Sequence, residues 1–198
     1  MKAMSVCERP GWSAPARSRT RPVVVLGIDP GLERTGYAAL STRDGQPQFR
    51  VLEAGLVRLP RQQPVPQRLA HLADSVETLI RRCHPTILVC EELYSHYRHP
   101  YTAILMAHAR GVILASAARC QLEVISVAAR RVKKLLTGSG RASKRQLQQA
   151  VAATLCLPTP PQPDDVADAI AIALCGLQVW LASRRVAEAV GADVEART

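Results

Sequence analysis

The chain has 198 residues, 47% of them hydrophobic and 21% charged, which suits one domain with a substantial core. That balance excludes a disordered polyelectrolyte, and one Phe, two Trp and four Tyr leave the core to aliphatic side chains. Lys plus Arg number 26 against 16 Asp plus Glu, a net +10, which points to a polyanionic partner such as nucleic acid or an acidic membrane surface.

Residues 1–21 hold Lys2, Arg9, Arg17, Arg19 and Arg21 against Glu8, so +4 of the charge lies there and +6 remains for residues 22–198. This basic, Pro- and Ser-containing stretch has no apolar period and is expected to be a disordered tail, with no signal-peptide core. The domain is expected over 22–187, followed by a short tail over 188–198. The longest apolar runs fall short of the 18 or more residues of a membrane span. The six cysteines form no CxxC pair and sit mostly in apolar runs, which reads as buried reduced thiols in a cytoplasmic protein.

In chain order, Val23–Ile28 reads as a buried strand stopped by Asp29-Pro30-Gly31. Gly36–Leu40 and Phe49–Val57 follow as strands around the hairpin signal Asp44-Gly45. Leu69, Leu72, Val76, Leu79 and Ile80 recur at helical spacing up to His84-Pro85. Thr86–Cys90 is a strand ending at Glu91-Glu92, residues 102–118 are an almost wholly apolar helix, and Leu122–Val127 is a further strand. Ser143 caps a helix to about Leu155, with Gln146 at the capping-box position, and an Ala-rich helix runs from about Asp164 to Arg185. An antiparallel hairpin region feeding parallel β-α-β units predicts an α/β domain with a five-stranded mixed sheet and helices on both faces.

Four acidic residues occupy informative positions. Asp29 and Glu91 each terminate an apolar strand, the end of an open α/β sheet at which ligands bind. Asp165 and Asp168 share one face of the first turns of the last helix, and Asp164 is the better cap candidate. Singly, each is a cap or a surface residue. Together in an apolar surround they would repel, and a divalent cation removes that conflict. Oxygen donors without a Cys or His cluster suit Mg²⁺ or Mn²⁺, and two ions about 3.5–4 Å apart serve phosphodiester cleavage.

Two basic segments complete the pattern. Tyr94-Ser95-His96-Tyr97-Arg98-His99-Pro100-Tyr101 interleaves aromatics with cations directly after Glu91, which suits base stacking and phosphate contact. Tyr94 is the stacking candidate, whereas Tyr101 is expected to pack under the following helix. Arg130-Arg131-Val132-Lys133-Lys134, then Gly138-Ser139-Gly140-Arg141 and Lys144, reads as a solvated charge run or a phosphate-contacting face. The glycine loop lacks Walker spacing.

These residues resemble the RuvC-type Holliday junction resolvases over roughly residues 23–180. The resemblance rests on Val25-Leu26-Gly27-Ile28-Asp29-Pro30-Gly31 with Thr35-Gly36-Tyr37, and on Val89-Cys90-Glu91-Glu92-Leu93-Tyr94. It extends through Ala109-Arg110-Gly111, Ala128-Ala129-Arg130-Arg131-Val132-Lys133, and Asp165-Val166-Ala167-Asp168-Ala169. It implies a ribonuclease H-like fold and a magnesium-dependent endonuclease that cuts four-way DNA junctions by paired symmetric nicks in recombination and repair. It implies Asp29, Glu91, Asp165 and Asp168 as catalytic ligands of two Mg²⁺, with Mn²⁺ substituting. Tyr94, Arg98, Lys133, Arg141 and Lys144 become DNA contacts, Tyr94 stacking near the crossover. A homodimer with the 102–118 helix in its interface, motor partners of the RuvA and RuvB type, and no membrane partner also follow. Glu92 stands where the family often has an amide, so Glu91 and Glu92 could exchange roles, as could Asp164 and Asp165. An inactive junction-binding module is the main alternative. An actin-like ATP-binding protein would need a second domain for which 198 residues leave no room.

Overall fold

The computed structural model describes residues 22–42, 49–93 and 100–195. Tyr94, Arg98, His96, His99 and the Asp44-Gly45 hairpin signal lie outside them, as do residues 1–21 and Cys7. The elements are β1 (Val23–Asp29), β2 (Arg34–Thr42), β3 (Phe49–Arg58), α1 (Val65–Cys83), β4 (Ile87–Glu91), α2 (Pro100–Arg119), β5 (Glu123–Val127), α3 (Ala129–Thr137), α4 (Lys144–Thr154) and α5 (Asp164–Glu195). The strands form one sheet in the order β3-β2-β1-β4-β5. β1 pairs antiparallel with β2 and parallel with β4, and β4 pairs parallel with β5, so the expected mixed sheet is present.

Alternation sorts the strand residues onto two faces. Val25, Ala38, Leu40, Ile87 and Val89 pack with α5, Val132 of α3 and Leu147 and Val151 of α4. Leu26, Ile28, Ala39, Leu88 and Cys90 pack on the other side with α1 and α2. The core is therefore two aliphatic layers on either side of a sheet whose central strands, β1 and β4, are buried, as the composition requires.

Three elements differ from expectation. Helix α3 occupies the segment read as a charge run: Val132 is buried beneath it while Arg131, Lys134 and Leu135 face solvent, so it is an amphipathic helix with a wide basic face. Helix α5 continues to Glu195 instead of ending near Arg185, because Val186-Ala187-Glu188-Ala189 holds strong helix formers and no proline. By length and composition alone, α2 and the Asp164–Ala187 part of α5 are each apolar enough to cross a membrane. Single polar residues, His108 and Arg110 in one and Gln178 in the other, had broken these runs. The α5 segment is 67% buried against the sheet, as a core helix is, whereas α2 is only 22% buried.

The five described cysteines are free thiols. Cys90 and Cys175 are buried as expected, but Cys156 is exposed in the turn after α4.

Candidate active site

The same alternation places the carboxylates. Val23, Val25, Gly27 and Asp29 point to one face, as do Ile87, Val89 and Glu91, so both acids emerge on the side covered by α5. The parallel register ends with Ile28 opposite Cys90, and Asp29 and Glu91 are the next residues along each strand. They stand side by side at the carboxyl end of the sheet, the ligand edge of an open α/β fold.

Helix α5 brings the other two. It lies against β1 closely enough that a methyl group on Gly27 would sit 2.6 Å from the Ala173 nitrogen, and one on Gly36 would overlap the Asp165 carbonyl. Glycine at these two positions lets the first turns of α5 reach the strand ends. Asp29, Glu91, Asp165 and Asp168 consequently line one cavity of about 690 Å³ with Lys133 and Lys144.

The members of the two acidic pairs differ in position. Glu91 lines the cavity and Glu92 does not. The Asp164 carboxylate, expected to cap the helix, lies inside its first turn and accepts from Gln148 Nε2 at 2.6 Å. The helix start is closed by the Pro163 carbonyl, which accepts from Val166 N at 2.9 Å, so no side-chain cap is needed there. Asp165 is the cavity residue.

Burial and mutual repulsion act on these acids. Asp29 is held well above the usual carboxylate range, first by burial and then by the charges of Glu91, Asp168 and Asp165, with Lys144 opposing. Glu91 is pushed up to about 7 by burial and by Asp168, with Lys133 and Lys144 pulling it down. Asp168 is raised by burial, against the pull of Lys144, whose Nζ is 3.9 Å from Asp168 Oδ2. Asp165 Oδ2 is buried without a hydrogen-bond partner, although Arg34 Nε is 3.3 Å away. That contact is ionic and lacks hydrogen-bond geometry.

Among the described residues, no three His, Cys, Asp or Glu side chains are yet drawn into a closed ligand set. The donors nevertheless fit a hard divalent cation: all are carboxylate oxygens, their charges conflict without one, and one buried oxygen has no hydrogen bond.

Other residues fall differently. Arg141 is exposed on the turn between α3 and α4 and does not line the cavity. Tyr101, expected beneath α2, is instead 72% exposed and lines the cavity. Glu33, Arg34 and Arg61 also line the cavity and were not anticipated; their place four and five residues after Asp29, or in the proline-rich connection, was the available signal. Arg110 was matched as part of a motif without a role. Its Nε donates to the Glu91 carbonyl at 2.9 Å and its terminal nitrogen to Ser126 Oγ at 2.8 Å, tying the ends of β4 and β5 together.

The model of the family described as crossover junction endodeoxyribonuclease RuvC matches residues 25–176. The chain belongs to the RuvC family. RuvC of Rhodopirellula baltica is 46% identical over 152 residues, covering 77% of this chain and 84% of the relative. RuvC of Alkaliphilus oremlandii is 38% identical over 153 residues, covering 77% and 92%. Among solved structures, Thermus thermophilus RuvC in complex with a Holliday junction substrate aligns with a TM-score of 0.72 and 31% identity, over 77% of this chain and 92% of that one. The yeast mitochondrial Holliday junction resolvase Ydc2, at 14% identity and a TM-score of 0.57, shares the fold over 84% of this chain and 83% of its own. The five-stranded sheet with its covering helices is thus the ribonuclease H-like fold.

Proposed function

We propose that this RuvC-family endonuclease resolves four-way DNA junctions in recombination and repair, by hydrolysing phosphodiesters at the cavity formed by Asp29, Glu91, Asp165 and Asp168. The observation that carries the reading is the convergence of β1, β4 and α5 on one cavity, which puts four acids beside two lysines. The four carboxylates would hold two Mg²⁺, with Mn²⁺ as substitute. Bound there, such ions activate water and stabilise both oxygens of an in-line displacement. A phosphodiester is an anion and these acids alone would repel it, so ligand charge and DNA charge are reconciled only through cations. Lys133 and Lys144, standing over the acids, contact the non-bridging oxygens of the scissile phosphate. The exposed cations of α3 and Arg141 carry the arms of the junction by phosphate contact. Tyr94 and Arg98 keep the roles implied by the family, stacking at the crossover and phosphate binding.

Paired nicks need two such cavities, and one chain has one. Helix α2, apolar yet 22% buried and exposing Ile104, supplies a face for a second copy. The protein acts as a cytoplasmic homodimer, working with junction-recognition and branch-migration proteins of the RuvA and RuvB type.

The test incubates the protein with a synthetic four-way junction or linear duplex in Mg²⁺, Mn²⁺ or EDTA. Paired symmetric nicks in the junction alone, lost in EDTA and in Asp29→Asn while binding persists, are expected. Normal cleavage by Asp29→Asn overturns the site.

A further inference from the structure

Arg34 lines the same cavity as Lys133 and Lys144. Its main chain is anchored on both sides. The Leu32 carbonyl accepts from the buried Arg68 guanidinium, the Glu33 carbonyl accepts from Leu59 N at 2.9 Å, and Thr35 Oγ1 donates to the Gly31 carbonyl. The neighbouring Glu33 carboxylate is held by Arg61. The Arg34 side chain is 55% exposed, and among the described residues its ion pair is with the 19%-exposed Asp165. Its partner across β3 is Arg58, another cation, so local charge does not otherwise favour a guanidinium at this place.

We infer that Arg34 is the resident counter-ion of Asp165 and that a DNA phosphate must take Arg34 away before Asp165 can join a metal site. The inference rests on the metal-ion reading of the site. Asp165 Oδ2 is buried and lacks a hydrogen bond, so what neutralises it is the guanidinium 3.3 Å away. A divalent cation on that oxygen and the guanidinium beside it repel each other, and the two compete for one ligand. A guanidinium on an exposed stem at the cavity rim is suited to phosphate, which it binds bidentately. Phosphate binding to Arg34 therefore frees Asp165, and by linkage metal and junction each tighten the other. Arg34 is a positioning residue for Asp165, and its consequence is that the DNA-free enzyme is poorly loaded with metal.

The test compares full-length wild type, Arg34→Met and Arg34→Lys. Mn²⁺ binding without DNA is followed by the electron paramagnetic resonance of free Mn²⁺, and junction binding is measured in EDTA. Arg34→Met is expected to bind Mn²⁺ about 5- to 10-fold more tightly and the junction several-fold more weakly. Arg34→Lys should lie close to wild type in Mn²⁺ binding, since it restores the charge, and between the two in junction binding, since it lacks the bidentate fork. A merely structural role would weaken both together. Unchanged or weaker Mn²⁺ binding by Arg34→Met overturns the inference, as does an Arg34→Lys protein that matches Arg34→Met. Absence of Mn²⁺ binding in wild type and Arg34→Met alike, or Mn²⁺ binding by Arg34→Met that is unchanged when Asp29→Asn is added, overturns the metal reading itself and the inference with it. Thermal melting verifies that each variant is folded, and Arg34→Gln replaces Arg34→Met if the latter does not fold.

Discussion

Arg110 on α2 reaches across the end of the sheet to donate from Nε to the main-chain carbonyl of Glu91 at 2.9 Å, while its terminal nitrogen holds Ser126 Oγ. It sets where Glu91 begins to leave the strand. A charged hydrogen bond of this kind contributes about 1.5–3 kcal/mol, and a partner lost behind a ligand costs about 10- to 100-fold in activity or metal affinity. Arg110→Met should lower junction cleavage by about that factor with near-normal junction affinity, measured by single-turnover nicking and gel shift. Cleavage at the wild-type rate removes Arg110 from the positioning of Glu91.

The neighbouring acids of α5 should separate cleanly. Asp165→Asn should abolish cleavage in saturating Mg²⁺, because Asp165 lines the cavity. Asp164→Asn should keep most of the rate and lose about 1 kcal/mol of stability at most, since Asp164 is engaged with Gln148. Denaturant titration beside nicking assays measures both, and the reverse pattern would assign the ligand to Asp164.

Without metal, the site opposes folding at neutral pH. The Glu91 carboxyl is pushed up to about 7 from its ordinary 4.5, and Asp29 and Asp168 are raised in the same direction. A raised acid contributes stability that is full below about pH 4.5 and is lost as pH climbs through about 7. In EDTA the stability should therefore fall between pH 5 and pH 8, by on the order of 3 kcal/mol for Glu91 alone, and the melting temperature should fall with it. Asp29→Asn should melt higher than wild type at pH 8 in EDTA, because it removes one of the buried charges. A wild-type melting temperature that is flat over this range contradicts the burial of these carboxyls.

Gly36→Ala tests the approach of α5 to the sheet. The added methyl would overlap the Asp165 carbonyl, so the helix must shift and overpacking should cost about 1–3 kcal/mol. Cleavage should drop by more than the stability loss explains, because the shift carries Asp165 with it. A stable and fully active Gly36→Ala protein would show that the strand-to-helix distance is not critical.

What the sequence discloses about this fold is mostly local. Val23–Asp29 and Ile87–Glu91 are legible because an apolar run that stops at a carboxylate marks both a strand and its exposed end. The Ser143–Gln146 box is legible and is fully formed, with Gln146 N donating to Ser143 Oγ at 3.3 Å and Ser143 N to Gln146 Oε1 at 2.8 Å. Helix α3 was hidden because nine residues with one buried side chain give too little period to stand out from their charges. The arginines were hidden for another reason. Arg34 meets Asp165, Arg68 meets Leu32 and Arg110 meets Glu91 only after β and α elements far apart in the chain have packed. Tyr101 was misread likewise: whether the first turn of a helix lies over the sheet or beyond it is set by docking, not by its own residues.

Helix α5 covers one face of the sheet and also carries two of the four carboxylates, while the strand bearing Asp29 is the first element of the described chain. The site is thus split between elements that stand about 140 residues apart along the chain. A chain still being synthesised, or one cut short before residue 168, holds an incomplete set of acids over an uncovered sheet. The four acids come together only once α5 has docked on the sheet, so the proposed site and the finished core are formed in one step.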